Sequence, residues 1–214
     1  MDGARAMPPL VYLDAAAVEA AMPTLEERLS LGERTMRALG RGAELPPKIG
    51  VHPRPAGSFA HAMPAWLGGG ADDGSADLLG LKWVTGFAAS RAMGWPAIHA
   101  TVVLNDATTG VPTTILDGSP ITAHRTAAVS GVAIRGWRPR VTGRATRAAI
   151  LGAGVQARSH LPVVAGILPG VELSVFDRHP DRAAAVVGEA AAMRGIGAAR
   201  VAASADEAAA DADV

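Results

Sequence analysis

A glycine-rich segment and a carboxylate downstream of it have the spacing of a dinucleotide-binding unit. The segment Gly152-Ala153-Gly154-Val155-Gln156-Ala157 matches the G-x-G-x-x-A pattern, follows the apolar run 148–151 and precedes a helical pattern. Asp177 ends the next apolar run, 20 positions after Ala157, where such a unit carries the acid that binds the adenosine ribose. The alternative, an ordinary strand–helix turn with two glycines, leaves the position of this acid unexplained.

The residues of this segment have separate expected roles. Gly152 allows the tight turn, Gly154 lets the backbone approach a pyrophosphate, and Ala157 keeps the helix and the strand close together. The backbone N–H groups near Val155 and Gln156 would then face the phosphates at the helix N-terminus.

Two neighbouring side chains bear on the choice of dinucleotide. Asp177 favours NAD, because a carboxylate repels the 2′-phosphate of NADP. Arg178 could bind that phosphate or stack on the adenine, so NADP stays open.

In the helix that follows the glycines, Pro162 removes a backbone hydrogen bond. Ser159 and His160 in the same helix are adjacent in sequence, but adjacency alone does not make them a catalytic pair.

Arg125 is a basic residue on an apolar helical face. It shares that face with Ile121 and Val132, so it should have an anionic partner or extend toward solvent. Thr122 and Thr126 flank it and could donate hydrogen bonds to a phosphate, although they also suit the start of a helix.

Three further polar residues are weaker candidates for an anion site. Lys82 interrupts the apolar strand pattern over 79–84, and Lys48 and His61 lie near prolines and apolar neighbours. From the residue types alone, each can equally face solvent. The six histidines show no metal-ligand spacing such as H-E-x-x-H, so no metal site is predicted.

The composition excludes several classes of protein. The 214 residues contain 20 Lys+Arg and 20 Asp+Glu, so zero net charge argues against nucleic-acid or membrane-surface partners. The absence of Cys excludes a disulfide scaffold, a thiolate metal site and a Cys nucleophile. No apolar run reaches the roughly 18 residues of a membrane span. The first residues lack a signal-peptide core, and we therefore expect a cytoplasmic protein.

The elements that would position these residues form an α/β protein with two domains. In the first domain, residues 1–138, two early helices precede three strands that form an antiparallel meander, because no crossover helix fits between them. A helix from the N-cap Ser119 to about Arg135 follows. In the second domain, residues 139–214, alternating strands and helices predict a parallel sheet. The predicted strands are 79–84, 97–104, 111–116, 148–151, 171–176 and 200–203, and the predicted helices are 15–22, 24–39, 119–135, 155–168, 180–193 and 206–210, with a loop over 67–76.

Five motifs, in this order and spacing, resemble one protein family along essentially the whole chain. They are His61-Ala62-Met63-Pro64-Ala65, Gly80-Leu81-Lys82-Trp83-Val84, Leu104-Asn105-Asp106 with Thr109-Gly110, Ile121-Thr122-Ala123-His124-Arg125-Thr126-Ala127-Ala128, and the glycine segment. The set is similar to the ornithine cyclodeaminase/mu-crystallin family, which includes archaeal-type alanine dehydrogenases and cyclic ketimine reductases. The motif around Arg125 is distinctive, whereas the glycine turn is not.

The resemblance implies a homodimer with a β-rich substrate and dimerisation domain and a Rossmann domain. It implies NAD(P)-dependent hydride transfer at the α-carbon of an amino or imino acid. Lys82 would lie near the substrate carboxylate and the reacting centre, as a catalytic residue, and Arg125 would bind the carboxylate or lie between it and the cofactor. Lys48 falls where the family has a basic carboxylate ligand. His61 falls at a substrate-facing position that is Glu in some ornithine cyclodeaminases, and this departure weighs against recognition of ornithine.

The same resemblance implies a set of cofactor contacts. Thr122, Thr126, Val155 and Gln156 would lie beside the cofactor phosphates, and Asp177 would meet the adenosine ribose.

Three functions follow from the resemblance. The leading hypothesis is an ornithine cyclodeaminase, which converts L-ornithine to L-proline and ammonia without net NADH formation. The second is an amino-acid dehydrogenase or cyclic ketimine reductase, which changes the amount of NAD(P)H steadily. The third is a non-catalytic NAD(P)H-binding protein of the crystallin type.

The resemblance also sets an expectation for the C-terminal end. About one of the two halves of a Rossmann sheet precedes Val214, so roughly 100 further residues, with the family's catalytic Asp among them, are expected to follow. We expect the 214-residue chain by itself to bind NAD weakly and to turn over no substrate.

Overall fold

The computed structural model describes residues 6–69, 76–137 and 141–214, which divide into two compact units. One unit contains the chain up to Met22 and residues 34–122, and the other contains residues 23–33 and 123–214. Helices α2 and α3, defined below, each contribute residues to both units. The predicted domain boundary at 138/139 and most of the predicted loop over 67–76 lie outside the described residues.

The first unit is built on a mixed six-stranded sheet with the order β1-β6-β5-β4-β3-β2. Its strands are β1 (Val11–Leu13), β2 (Ile49–Val51), β3 (Phe59–Leu67), β4 (Leu78–Gly86), β5 (Ile98–Asn105) and β6 (Pro112–Asp117). Strands β2 to β6 pair antiparallel with their neighbours in the chain, which confirms the predicted meander, whereas β1 runs parallel to β6.

Local side-chain hydrogen bonds set the turn and the helix starts of this region. The Asp106 carboxylate accepts hydrogen bonds from the N–H groups of Thr108 and Thr109 and closes the hairpin between β5 and β6. Helix α1 (Ala15–Ala20) begins at the N-cap Asp14, whose carboxylate accepts from the N–H of Ala17 at 2.8 Å.

The two long helices of the chain also begin at polar caps. At the start of α2 (Leu25–Leu39), Thr24 and Glu27 exchange side-chain-to-backbone hydrogen bonds in a capping box. The helix α3 (Gly118–Gly136) begins one residue before the predicted N-cap, because the Asp117 carboxylate accepts the N–H of Ser119 at 2.8 Å.

The second unit contains a three-stranded parallel sheet with the order β7-β8-β9, as predicted. Its elements are β7 (Arg147–Leu151), α4 (Val155–Ile167), β8 (Val171–Phe176), α5 (Pro180–Ala191), β9 (Ile196–Val201) and α6 (Ala205–Ala209). On the free edge of β7, Val214 donates to the carbonyl of Arg147 and accepts from the N–H of Ala149, which is the pattern of a parallel neighbour. Strands in the order 3-2-1 followed by such a neighbour are typical of a doubly wound fold.

The core of the second unit lies between this sheet and its helices. Leu161, Leu173, Val175 and Val186 are buried there, and Leu29 of α2 is only 1% exposed. Among the described residues, no helix has the length and apolarity needed to cross a membrane.

Candidate functional site

The glycine turn after β7 leaves open space in front of helix α4. Gly152 has a φ of +101°, a left-handed conformation that glycine adopts without a side-chain penalty, and its N–H donates to the carbonyl of Phe176 at 2.7 Å. Gly154 is the N-cap of α4. A Cβ atom added at either glycine would meet no heavy atom within 4 Å. A ligand can therefore approach the backbone at both positions.

The N-terminus of α4 offers backbone donors to an anion. No side chain caps this helix, and the N–H of Arg158 makes its bond back to the carbonyl of Gly154. The N–H groups of Val155, Gln156 and Ala157 precede that bond, and the side chain of Val155 is 70% exposed. The positive end of the helix dipole favours a phosphate at this point.

Asp177 lies at the end of β8 and is bonded directly to the glycine turn. Its Oδ2 accepts from the N–H of Ala153 at 2.8 Å, and its Oδ1 accepts from the N–H of His179 at 2.8 Å. The bond from Ala153, followed by that from His179, lowers the pKa of this carboxyl below its usual value. The group is therefore an anionic acceptor, and each oxygen keeps a lone pair that a ribose hydroxyl could use. Arg178 beside it is exposed.

Helix α3 carries the three candidate residues around Arg125. Arg125 is exposed, so it extends toward solvent, one of the two outcomes expected for a cation on an apolar stripe. Thr122 and Thr126 are half-buried and lie one turn apart on the same side of the helix.

A hydrogen bond between α2 and α3 lies next to Arg125. Arg28 Nη1 contacts His124 Nδ1, so the ring of His124 is held from the neighbouring helix. This pair was not predicted, because no local pattern indicates which residues of α2 face α3.

The register of the first sheet brings His61 and Lys82 to one face. Lys82 on β4 pairs directly with Met63 on β3, and His61 lies two residues before Met63, on the same side. Lys48 lies immediately before β2, outside the residues that pair with β3. The side chains of His61 and Lys82 thus occupy neighbouring positions on two adjacent strands.

This face of the sheet, which we call the Lys82 face, carries no Asp or Glu among its strand residues. Asp117 is the one acidic residue in the six described strands, and its pairing with Thr101 places it on the opposite face. Among its described strand residues, the Lys82 face is therefore basic.

The imidazole of His61 is held between an aromatic ring and a glycine. It stacks on Phe59 with ring centroids 4.6 Å apart. Gly50 lies directly opposite His61 on β2, and a Cβ atom there would be 2.7 Å from His61 Cδ2. Gly50 and Phe59 were not predicted as site residues, since their contacts with His61 depend on the tertiary structure.

The described residues contain no group of three or more His, Asp and Glu side chains that could hold a metal ion. The exposed helix N-terminus, the open space at Gly152 and Gly154, and the anionic Asp177 together fit a dinucleotide.

Comparison with known proteins identifies the family. The model of the ornithine cyclodeaminase/mu-crystallin family matches residues 13–214. The nodulation efficiency protein NfeD of Rhizobium meliloti is 37% identical over 154 residues, which is 72% of this chain and 45% of that protein. The structure of Thermococcus litoralis Δ1-pyrroline-2-carboxylate reductase in complex with NADH and L-proline superposes with a TM-score of 0.81 at 29% identity, covering 95% of this chain and 60% of that one.

A second solved structure, an archaeal alanine dehydrogenase dimer with bound NAD, has a TM-score of 0.78 at 27% identity, over 93% of this chain and 57% of its own. The chain thus spans between 45% and 60% of the length of these three relatives. The fold, the glycine turn and the matched span agree, and the chain belongs to the ornithine cyclodeaminase/mu-crystallin family.

Proposed function

We propose that the protein is an NAD(H)-dependent oxidoreductase that acts at the α-carbon of a small imino or amino acid, with a cyclic ketimine such as Δ1-pyrroline-2-carboxylate as the substrate reduced. The observation that carries this proposal is the glycine turn bonded to an anionic Asp177 in front of an uncapped helix. The likeness to a pyrroline-2-carboxylate reductase holding NADH and L-proline supports the choice of substrate.

The second unit would hold the cofactor. The N–H groups of Val155 and Gln156 would bind the pyrophosphate, and Asp177 would accept from the ribose hydroxyls, which favours NAD over NADP. Thr122, Arg125 and Thr126 on α3 would add donors and a positive charge near the phosphates, and Arg178 would contact the adenosine end. When bound, the nicotinamide would supply the hydride, which amino-acid side chains cannot donate.

The basic residues would bind the substrate carboxylate. Lys82 is a flexible cation of the Lys82 face, Lys48 is a second one beside β2, and Arg125 offers a planar guanidinium. A carboxylate held by a cation has a fixed position, which would lower the entropic part of the barrier to reaction at the α-carbon. His61 would face the side chain or the ring of the substrate.

In the proposed reduction a hydride would pass from NADH, which becomes NAD+, to the α-carbon, and a proton from water would reach the imine nitrogen, so that the C=N bond becomes a C–N single bond. The contribution of Lys82 is to keep the carboxylate and the reacting centre in one position while this occurs.

Ornithine cyclisation, the leading hypothesis of the sequence analysis, has weaker support. Ornithine carries a cationic side chain, and the Lys82 face presents two basic residues, His61 and Lys82, with no acidic residue among its strand positions. A binding face of this charge would repel the ammonium group.

The decisive experiment follows NADH and ammonia together in the full-length protein. With Δ1-pyrroline-2-carboxylate, we expect steady loss of NADH absorbance at 340 nm. Proline and ammonia formed from ornithine without net NADH change would instead support the cyclodeaminase. Cofactor binding without turnover on any imino or amino acid would support the non-catalytic alternative.

The role of Lys82 can be tested in the same assay. Lys82→Met should lower turnover of the imino acid by about 100-fold, because the carboxylate loses the cation that orients it. Arg91→Met, which removes an exposed charge from the short 3-10 helix Ala88–Met93, is the matched control and should leave turnover unchanged. Equal rates for the two variants would remove Lys82 from the site.

We also propose that the protein forms a homodimer, a proposal supported by the archaeal alanine dehydrogenase relative, which is a dimer. Light scattering coupled to size-exclusion chromatography measures this directly. A monomer at micromolar concentration would contradict the proposal.

A further inference from the structure

We propose that His160 is a positioning residue that couples the phosphate-binding turn of α4 to helix α3. The inference rests on the proposed function, because the turn concerned is the one that would hold the cofactor pyrophosphate. No part of the reaction described above uses His160, and all the contacts that follow lie within the second unit.

Both ring nitrogens of His160 make hydrogen bonds. Nδ1 lies 2.6 Å from the carbonyl oxygen of Gln156, and Nε2 lies 2.9 Å from Oγ of Ser130 on α3. A carbonyl oxygen can only accept, so Nδ1 carries a hydrogen and donates it to Gln156. Nε2 is hydrogen-bonded to the Ser130 hydroxyl, which can donate or accept. The ring thus joins the two helices through both of its nitrogens.

The carbonyl that His160 holds belongs to the anion-binding turn. The C=O of Gln156 and the N–H of Ala157 are parts of the same peptide group, and that N–H is among the donors without a helical partner. Ser159 Oγ donates to the same carbonyl at 2.9 Å. Two side-chain donors on the oxygen fix the orientation of this peptide and polarise its N–H toward a bound phosphate.

The first turn of α4 needs this support because the helix contains Pro162. Proline has no N–H, so the carbonyl of Arg158 lacks the donor that an ordinary residue would provide four positions later. Side chains hold the turn instead: Arg158 Nη1 donates to the carbonyl of Ala153 at 3.1 Å, and Arg158 Nε donates to Glu189 at 2.8 Å. His160 adds the link to α3 that this set otherwise lacks.

The partner on α3 is well placed for coupling. Ser130 lies four residues after Thr126, on the same side of the helix, and Thr126 is itself a proposed phosphate donor. One imidazole therefore connects the α3 side that would approach the phosphates with the peptide on α4 that would bind them.

Three variants separate the two hydrogen bonds. His160→Ala removes both. His160→Asn places an amide N–H₂ where Nδ1 stood, which retains the bond to Gln156 and loses the reach to Ser130. Ser130→Ala removes only the bond between the helices. His52→Ala, an exposed histidine of the first unit, is the control.

The readout is NADH affinity measured by fluorescence titration of the full-length protein, well below the melting temperature of each variant. We expect His160→Ala to raise the Kd about 10-fold, and His160→Asn and Ser130→Ala to raise it about 3-fold, in line with two and one lost hydrogen bonds. The KM for the imino acid at saturating NADH should not change, because the residue acts on the cofactor turn alone.

The results that would contradict the inference can be distinguished from the result that would contradict the proposed function. If the unmodified protein binds NADH and the two milder variants bind it equally well, the coupling is wrong, whatever the fold of His160→Ala. A lower melting temperature with an unchanged Kd would make His160 merely structural and overturn the inference. Absence of NADH binding in the unmodified protein would instead refute the proposed function, and this inference with it.

Discussion

Asp177 is a single residue whose chemistry decides two properties of the proposed cofactor site. Its carboxylate receives two backbone hydrogen bonds, which keep it ionised, and its charge would oppose a 2′-phosphate. Asp177→Asn keeps an oxygen that can accept from Ala153 and removes the negative charge. We expect the variant to bind NADH several-fold more weakly and to lose most of its preference for NADH over NADPH. Fluorescence titrations with both nucleotides measure this.

Asp181→Asn is the matched control for that experiment, because Asp181 is an exposed acid in the first turn of α5, four residues away. It should leave both dissociation constants unchanged. An Asp177→Asn protein that keeps the same NADH-to-NADPH ratio would show that the carboxylate does not face the ribose.

A substitution at Gly50 tests whether the position of the His61 ring matters for substrate binding. A methyl group at Gly50 would lie 2.7 Å from Cδ2 and 3.1 Å from Nε2 of the His61 ring, so the imidazole must leave its stack on Phe59. We expect Gly50→Ala to raise the KM for the imino acid several-fold while the melting temperature changes little. Ile49→Val, at the neighbouring exposed position of β2, is the control. An unchanged KM would mean that the ring position does not matter for binding.

At the scale of elements, substitution of two helical glycines by alanine should change the free energy of unfolding in opposite directions. A Cβ atom at Gly131 of α3 would lie 2.4 Å from Leu29, 2.7 Å from Val163 and 3.0 Å from Ile167, whereas one at Gly188 of α5 would meet nothing within 4 Å. Gly131→Ala should therefore reduce the free energy of unfolding by about 1–3 kcal/mol through overpacking.

Gly188→Ala should instead increase the free energy of unfolding by about 0.5–1 kcal/mol, because alanine has the higher helix propensity. Urea denaturation of both variants gives the two changes. If Gly131→Ala were neutral, the close packing of α3 on Leu29 and α4 would be incorrect.

The elements that sequence patterns predicted are those defined by local signals. The strands at 171–176, 97–104 and 79–84 and the helix after the glycine segment match to within a few residues, since apolar runs and caps mark them. Strand β9 extends over Ile196–Val201, earlier than the predicted 200–203, because Ala and Gly give a weak strand signal.

Strand β3 was missed because Pro64 interrupts it. Trp66 exchanges backbone hydrogen bonds with Glu44 on the β2 side, and alternate residues point the same way, so the nitrogen of Pro64 also faces that side. Strand β2 pairs only with residues 60–62, so no ladder bond is lost there. A proline is thus accommodated by the shortness of a neighbouring strand, which a local pattern does not reveal.

In the candidate site, too, local patterns predicted some features, whereas others became visible only in the tertiary fold. The glycine turn and Asp177 were predicted from spacing within one βαβ unit, and the structure joins them by a hydrogen bond. The common face of His61 and Lys82 follows from pairing between two strands, and the contact of His160 with Ser130 follows from packing between two helices. Such contacts need the tertiary fold, and the roles assigned to these residues remain predictions.

At the scale of the whole molecule, ionised carboxylates make the free energy of unfolding depend on pH. Several carboxyl groups bonded to arginine or backbone N–H groups have a lowered pKa, among them Glu26, Glu207 and Asp213. A group whose pKa is lower in the folded state binds fewer protons there than in the unfolded chain. Stability therefore falls as the pH falls through the acidic range.

Asp213 shows this dependence most clearly. Two bonds of 2.7 Å from Arg144 and one of 2.9 Å from the N–H of Arg147 lower the pKa of its carboxyl from 3.8 to about 2. Its contribution to stability is complete above about pH 4 and is lost between about pH 4 and pH 2. Asp213→Asn should thus have a lower urea midpoint at neutral pH, and its plot of midpoint against pH should converge with that of the unmodified protein toward pH 2.

Asp211→Asn is the control, because the Asp211 carboxylate is exposed and lies 3.7 Å from Arg147; this variant should change the midpoint little. A constant difference between the Asp213→Asn and unmodified proteins at every pH would show that lost packing, not the ionised carboxylate, accounts for the effect.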